Sequence, residues 1–220
     1  MAVADRGAPW RTGVQPDRSL ARGLLAAPVE DVARALLGVR LISTVGGVVA
    51  VGVVVETEAY QGPDDPASHA ATRHGRTARN ATMFGPSGRA YVYRSYGVHW
   101  CLNVVTGAEG DPQAVLVRGL ESLEGEDAML DRRGGRRPLA AGPGRLCQAL
   151  GVTGDLDGHD LRHPPLVLAG GWAVEDGRVG ISGRVGVRKA ADRPLRFYVR
   201  GSPGVTRVSG VHPFSRTDRA

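Results

Sequence analysis

The sequence predicts an α+β fold: a single mixed domain in which a mainly antiparallel β-sheet is flanked by short helices. Three observations lead there. β-Branched and aromatic runs come in neighbouring pairs joined by glycine-containing turns, which is the pattern of hairpins. Helical spacing is confined to short stretches. The 220 residues hold enough apolar side chains for one core and show neither an internal repeat nor a linker.

Residues 1–17 mix Pro, Gly, Arg and Asp without periodicity and read as a basic arm, leaving 18–205 as the folded domain and 206–220 as a loose tail. Pro28 suits a first helical position, apolar residues recur at Val29, Val32, Ala33, Leu36 and Leu37, and Gly38 suits the C-terminal cap, so a short amphipathic helix is expected. Residues 39–43, a Gly46-Gly47 turn and the run 48–55 form a hairpin whose second strand carries Glu56 and Glu58. Side chains alternate along a strand, so Glu56, Glu58 and Tyr60 share one face. The strand ends near Tyr60, because Gly62-Pro63-Asp64-Asp65-Pro66 is turn chemistry.

Residues 70–82 are small, polar and Arg-rich and read as an exposed loop. Runs at 91–93 and 98–105 make a hairpin around Arg94-Ser95-Tyr96-Gly97, with Tyr96 near its tip. A strand over 115–120, a charged helix over 121–130, a flexible basic loop over 132–137, a helix over 144–150, and strands over 179–187 and 195–199 complete the expected order.

The net charge of +6 favours a polyanionic partner, with nucleic acid foremost. Of the 28 basic residues only Lys189 is a lysine, so chemistry through a lysine Schiff base has one internal candidate. Cys101 and Cys147 are too few and too far apart for a disulfide scaffold, and no CxxC pair exists to ligate zinc. A reducing cytoplasm fits. There is no signal-like apolar N-terminal stretch and no run near the ~20 residues that span a bilayer.

The chemistry concentrates between residues 56 and 103. Glu58 is a carboxylate on an otherwise apolar strand, so it either reaches solvent as a surface ion pair or lines a polar pocket. Glu56 shares that ambiguity and takes no assigned role. Glu58 with Asp64, Asp65 and His69 could build a hard-metal site, though Gly-Pro-Asp-Asp is more often a turn. His159 and His163 show ligand spacing beside Asp155, Asp157 and Asp160, but Gly158 and Pro164 imply a loop. Four of the five tyrosines, Tyr60, Tyr91, Tyr93 and Tyr96, fall in this segment, where they serve either as core and edge aromatics or as platforms for a base. Asn103 follows an apolar run, where a buried amide needs partners and can discriminate a base edge. Gly142-Pro143-Gly144-Arg145 before a helix could meet a phosphate, without P-loop spacing.

Taken together, these strings resemble the alkyladenine (3-methyladenine) DNA glycosylase family. The matching pieces include Val55-Glu56-Thr57-Glu58-Ala59-Tyr60, Gly62-Pro63-Asp64-Asp65 through His69, Met83-Phe84, Tyr91-Val92-Tyr93, Tyr96-Gly97 and Cys101-Leu102-Asn103. Further along come Val117-Arg118, Gly142-Pro143-Gly144-Arg145, Arg184-Val185-Gly186 and Pro194-Leu195-Arg196-Phe197-Tyr198-Val199. The resemblance implies a curved sheet with a protruding β-hairpin, and a monomeric enzyme that flips damaged purines of the 3-methyladenine or 7-methylguanine type out of double-stranded DNA. It implies hydrolysis of the N-glycosidic bond to leave an abasic site, with no lyase step, no cofactor and no metal, in the cytoplasm and on the nucleoid if the source is bacterial.

By the same resemblance Glu58 is the general base, and Arg118 and the Val185 carbonyl hold the attacking water. Tyr60, His69 and Tyr93 sandwich the extruded base, and Asn103 rejects the 2-amino group of guanine. Tyr96 is the wedge in the minor groove with Met83 at the intercalation site, and Arg145 and Arg184 contact phosphate. Other readings of the residues are a lesion-binding protein without catalysis and a metal-dependent nuclease using the acidic turn. Two departures from the family stand out: Arg188-Lys189, where a small residue or an Asp-Tyr pair is frequent, and Gly204, where an aromatic is common.

Overall fold

The eleven-residue strand β2, Ala50–Tyr60, organises the sheet, because it is buried along nearly its whole length and pairs with three neighbours. The computed structural model describes residues 23–70 and 75–207. The basic arm over 1–17 and most of the tail over 206–220 lie outside them. Helix α1 (Val29–Ala35) leads into β1 (Arg40–Ser43) and β2. The hairpin β3 (Ala90–Ser95) and β4 (His99–Thr106) follows, then β5 (Gln113–Glu124), α2 (Glu126–Arg132), α3 (Pro143–Leu150), β6 (Leu166–Ala169), β7 (Val179–Ser182) and β8 (Arg196–Val199).

The order across the sheet is β3-β4-β5-β2-β1-β6, and all pairs are antiparallel. Strand β1 covers only the first part of β2, from Ala50 to Val53, while β8 pairs with Glu56, Thr57 and Glu58 and carries β7 on its far side. One edge of β2 thus serves two strands in succession. The β2–β5 register shifts around Glu56, and such a bulge adds local twist. The result is a curled sheet, a half-barrel in outline, with the acidic end of β2 inside the curl.

The apolar core lies between the sheet and its helices. Val29, Val32, Ala33 and Leu36 of α1 and Leu146, Cys147, Ala149 and Leu150 of α3 pack on Val53, Val55, Val104 and Val117. Thr57 donates to the Ala33 carbonyl at 2.7 Å, which places it on the helix face. The strand alternation therefore sends Glu56, Glu58 and Tyr60 to the opposite face, as their sequence spacing requires. A second, smaller cluster of Ala70, Met83, Tyr91, Val105 and Ala114 sits at the base of the β3–β4 hairpin.

Several elements differ from the sequence-based expectation. The segment 121–130 is strand as far as Glu124, because Glu121 pairs with Val53 across the ladder, and Gly125 at φ 72° then breaks the strand before α2. Cross-strand pairing overrides the helix propensity of that charged stretch. The run 179–187 leaves the ladder after Ser182, and residues 183–187 become a loop over the end of β2. Arg132 and Arg133 are not in a free basic loop: Arg132 donates to the Val45 and Ala149 carbonyls, and the buried Arg133 bonds Gln148. Strand β6, unexpected from the sequence, completes the sheet beyond β1. His159 Nε2 donates to the His163 and Leu166 carbonyls, and among the described residues the His159–His163 pair gathers no third His, Cys, Asp or Glu side chain that could hold a metal ion with it. No described helix is long and apolar enough to cross a membrane.

Candidate active site

Glu58 is completely buried, and each of its oxygens has a partner. Oε1 accepts from the Val185 backbone N–H at 2.7 Å and lies 3.3 Å from Arg118 Nε, while Oε2 accepts from the Tyr60 hydroxyl at 3.0 Å. Strand β2 supplies the carboxylate and the phenol, β5 the guanidinium, and the 183–187 loop the amide. Burial holds the Glu58 carboxyl above its ordinary range against the pull of Arg118, the Val185 amide and Tyr60. Burial, and next the Glu58 charge, push the Tyr60 hydroxyl far above its usual range, so it remains a donor at neutral pH.

Above this carboxylate opens a cavity of about 600 Å³ lined by Tyr60, His69, Tyr93, Asn103, Arg118 and Val185 among others. Glu58 is not itself in the lining, but all three groups that contact it are. The rings of His69 and Tyr93 meet edge to face at 4.4 Å, and Tyr91 braces them through a 2.9 Å hydrogen bond between its hydroxyl and His69 Nδ1. Burial, then Arg79, lowers the proton affinity of His69, which keeps the ring neutral at pH 7. Asn103 Nδ2 donates to the Tyr91 carbonyl at 3.0 Å, which holds the amide in place in the cavity wall.

The expected residues thus converge, with two differences. Met83 is 2 % exposed and forms part of the cavity wall with Tyr91, so it does not project as an intercalating side chain. Arg184 is buried in a two-pronged ion pair with Asp65, donates to the Ala59 carbonyl at 3.1 Å and lies 4.7 Å from the centre of the Tyr60 ring. Its charge is neutralised inside the protein, which is no place for a phosphate contact. Arg145 is exposed on the first turn of α3, two residues from the cavity-lining Pro143, and donates to the Ala141 carbonyl at 3.0 Å.

Tyr96 is 93 % exposed at the tip of the β3–β4 hairpin, and Tyr96 and Gly97 both have positive φ, at 50° and 69°. Ser95 pairs with His99 and the Val98 N–H donates to the Ser95 carbonyl at 3.0 Å, so these angles belong to a tight three-residue turn over 96–98. A non-glycine residue rarely adopts such a φ, so the hairpin presents the ring at some conformational cost.

Sequence reasoning missed four contributors. Asn80, 1 % exposed, donates to the carbonyls of His69 and Gly75 at 3.1 Å each and accepts from the Thr77 N–H and hydroxyl, so it fastens the loop that carries His69. Arg79 lines the cavity 5.8 Å from the Tyr93 ring centre. The Asp65–Arg184 pair and the Glu56–Arg196 pair join segments far apart in sequence. None leaves a periodic signal; a polar residue in a polar loop looks solvated until the fold buries it. Asp65 and His69 are occupied by Arg184 and Tyr91, and among the described residues no three His, Cys, Asp or Glu side chains come together to hold a metal ion.

A ring-walled cavity with a buried carboxylate under its floor opens beside an exposed aromatic ring, and its walls have the dimensions and chemistry to take a flat heterocycle. The chain belongs to the methylpurine-DNA glycosylase family, whose model matches residues 23–203. It is 50% identical over 181 residues to a protein of Methanoculleus marisnigri, covering 80% of this chain and 92% of the relative. To a protein of Agrobacterium fabrum it is 48% identical over 179 residues, covering 80% and 86%. To one of Frankia casuarinae it is 48% identical over 199 residues, covering 84% and 90%. Each of the three carries the name "Putative 3-methyladenine DNA glycosylase".

Proposed function

We propose that this protein removes alkylated purines, of the 3-methyladenine and 7-methylguanine type, from double-stranded DNA by flipping the damaged nucleotide and hydrolysing its N-glycosidic bond. The observation that carries the reading is the position of Glu58: a fully buried carboxylate whose partners Tyr60, Arg118 and Val185 form the floor of the ring-walled cavity. The names of the relatives and the family agree with it.

Methylation at N3 or N7 puts a positive charge on the purine, so its departure from C1′ needs little help. The base leaves as a neutral molecule, water adds to C1′, and Glu58 takes the proton that the water loses. Arg118 and the Val185 carbonyl orient that water, while Tyr60, on one side, and His69 with Tyr93, on the other, hold the base by its faces. Asn103 crowds the 2-amino group of normal guanine; 7-methylguanine carries the same group, but its charge has already weakened the bond to C1′. Tyr96 enters the minor groove and fills the gap left by the extruded nucleotide. The exposed Arg145 on α3 contacts backbone phosphate, and Met83 supports the wall of the pocket. The enzyme works as a monomer in the cytoplasm, on the nucleoid if bacterial, without cofactor and without cutting the strand.

Incubation of 3-methyladenine-containing DNA with the protein in excess EDTA tests this. Free base with an intact abasic strand is expected. Binding without release would leave a lesion-recognition protein, and strand cleavage restored by magnesium would leave a nuclease.

A further inference from the structure

Glu56 is the acidic neighbour that this chemistry leaves unused. It is completely buried. Its Oε1 accepts from Arg196 Nε at 2.7 Å and from Arg118 Nε at 3.2 Å, and its Oε2 accepts from the Thr206 backbone N–H at 2.7 Å. A Cβ on Gly119, its partner across the ladder, would fall 3.2 Å from that Oε2 and 2.3 Å from the Gly204 carbonyl oxygen, so the carboxylate is closed in by backbone. The Arg118 N–H is directed at Glu56, while Glu58 Oε1 lies 3.3 Å from the same nitrogen. One guanidinium therefore stands between two carboxylates, and only one of them is anchored by a second arginine.

We propose that Glu56 is a positioning residue: held by Arg196 and Thr206, it draws the Arg118 N–H to itself and leaves Glu58 beside a guanidinium whose charge is shared. The proposal rests on the reading of Glu58 as the base. A buried carboxylate that had Arg118 to itself would bind protons weakly and make a poor base. Glu56 also opposes ionisation of Glu58 by its own charge. The other groups facing Glu58 leave this balance in place. Tyr60 from its own strand and Tyr93 and Cys101 from the β3–β4 hairpin are kept neutral by burial, and Arg184 from the 183–187 loop is neutralised by Asp65. Burial raises the Glu58 proton affinity, and Arg118, shared with Glu56, is the strongest pull against it.

Two variants move that balance in opposite directions. In Glu56→Gln, Arg118 serves Glu58 alone, and the Glu58 titration midpoint should fall by about 1 pH unit. In Arg196→Gln, Glu56 claims Arg118 more fully and the cluster gains net negative charge, so the midpoint should rise by a similar amount. The measurement is 13C NMR of carboxyl-labelled glutamates, with the Glu58 signal assigned by its loss in Glu58→Gln. In parallel, the acid limb of 7-methylguanine release is followed in the same variants. Midpoints that stay fixed, or that shift in the same direction in both variants, overturn the inference, since a scaffold role alone would lower stability without opposite shifts. Midpoints that move oppositely while the excision limb stays still would uphold the shared guanidinium and overturn Glu58 as the base. If Glu56→Gln does not fold, Glu56→Asp, with a shorter carboxylate that reaches Arg118 less well, carries the same downward sign.

Discussion

The floor and the rim of the cavity are built on opposite physical terms. Beneath the floor lies a layer of charges withdrawn from water: Glu56, Glu58 and Asp65 are fully buried, and Arg118, Arg184 and Arg196 are nearly so. Each is held by partners from other strands or loops, and removing one leaves another buried and unpaired. At the rim, Tyr96 stands almost wholly in solvent on the three-residue turn of the β3–β4 hairpin. The floor therefore couples chemistry to stability, whereas the tip can change with the fold intact. One part of the site is set by the electrostatics of the folded state, the other by shape alone.

That contrast can be broken or sharpened by experiment. The largest effect is expected at the centre of the floor: Glu58→Gln should lower base release by about 10²–10⁴-fold, the range supplied by a general base, while binding to lesion DNA persists. Gel-shift and single-turnover release assays on the same preparation would check it, and retained excision would remove Glu58 from the mechanism. Next, Asp65→Ala strands Arg184 without its carboxylate and should cost about 3–5 kcal/mol in urea unfolding, as does breaking a buried pair from one side. A loss no larger than that of a surface substitution would show that water reaches Arg184.

At the tip, Tyr96→Ser should weaken binding to an abasic-site analogue by about tenfold while moving unfolding free energy by no more than about 0.5 kcal/mol. Equal losses in stability and binding would erase the distinction between floor and rim. Arg145→Ala should weaken binding a few-fold whatever the lesion and flatten the salt dependence by about one phosphate contact.

The smallest effects concern pH, and the two floor carboxyls should differ in sign. Burial raises the Glu58 carboxyl, so excision should fall as pH drops through a midpoint above that of an ordinary glutamate. Asp65 is pushed up by burial, but its bonds from Arg184 outweigh this and leave it below its usual range. A carboxyl depressed in the folded state lends stability that is present above its unfolded pKa and is lost as pH falls through the folded value. Asp65→Asn should therefore flatten the acid limb of the stability curve, and an unchanged limb would contradict the buried pair.

Much of this was legible in the residues. The β2 alternation put Glu56, Glu58 and Tyr60 on one face, and the structure keeps them there. Tyr96 and Gly97 made a hairpin tip, and the tip is where the ring is exposed. These features depend on neighbours in the chain, and strand and turn geometry translate them directly. The strand over 113–124 was read short, because the apolar pattern fades into charge at Glu121 and only the ladder with β2 continues it. Gly204 was seen as a departure, and its reason lies in another strand: a Cβ there would come 2.5 Å from the Leu120 carbonyl oxygen.

By itself the sequence determined the antiparallel character of the sheet, the shared face of the acidic strand, the exposed aromatic turn and most of the residues that line the cavity. Only the tertiary structure decided what each charge does. It turned Arg184 from a phosphate contact into the partner of Asp65, placed Met83 in a wall, gave Asn80 the loop that bears His69, and set Glu56 beside Arg118 and Arg196. The physical reason is that local geometry follows from bonds and neighbours in the chain. The work of a buried charge depends on which distant residues share its low-dielectric surroundings, and folding alone brings those together.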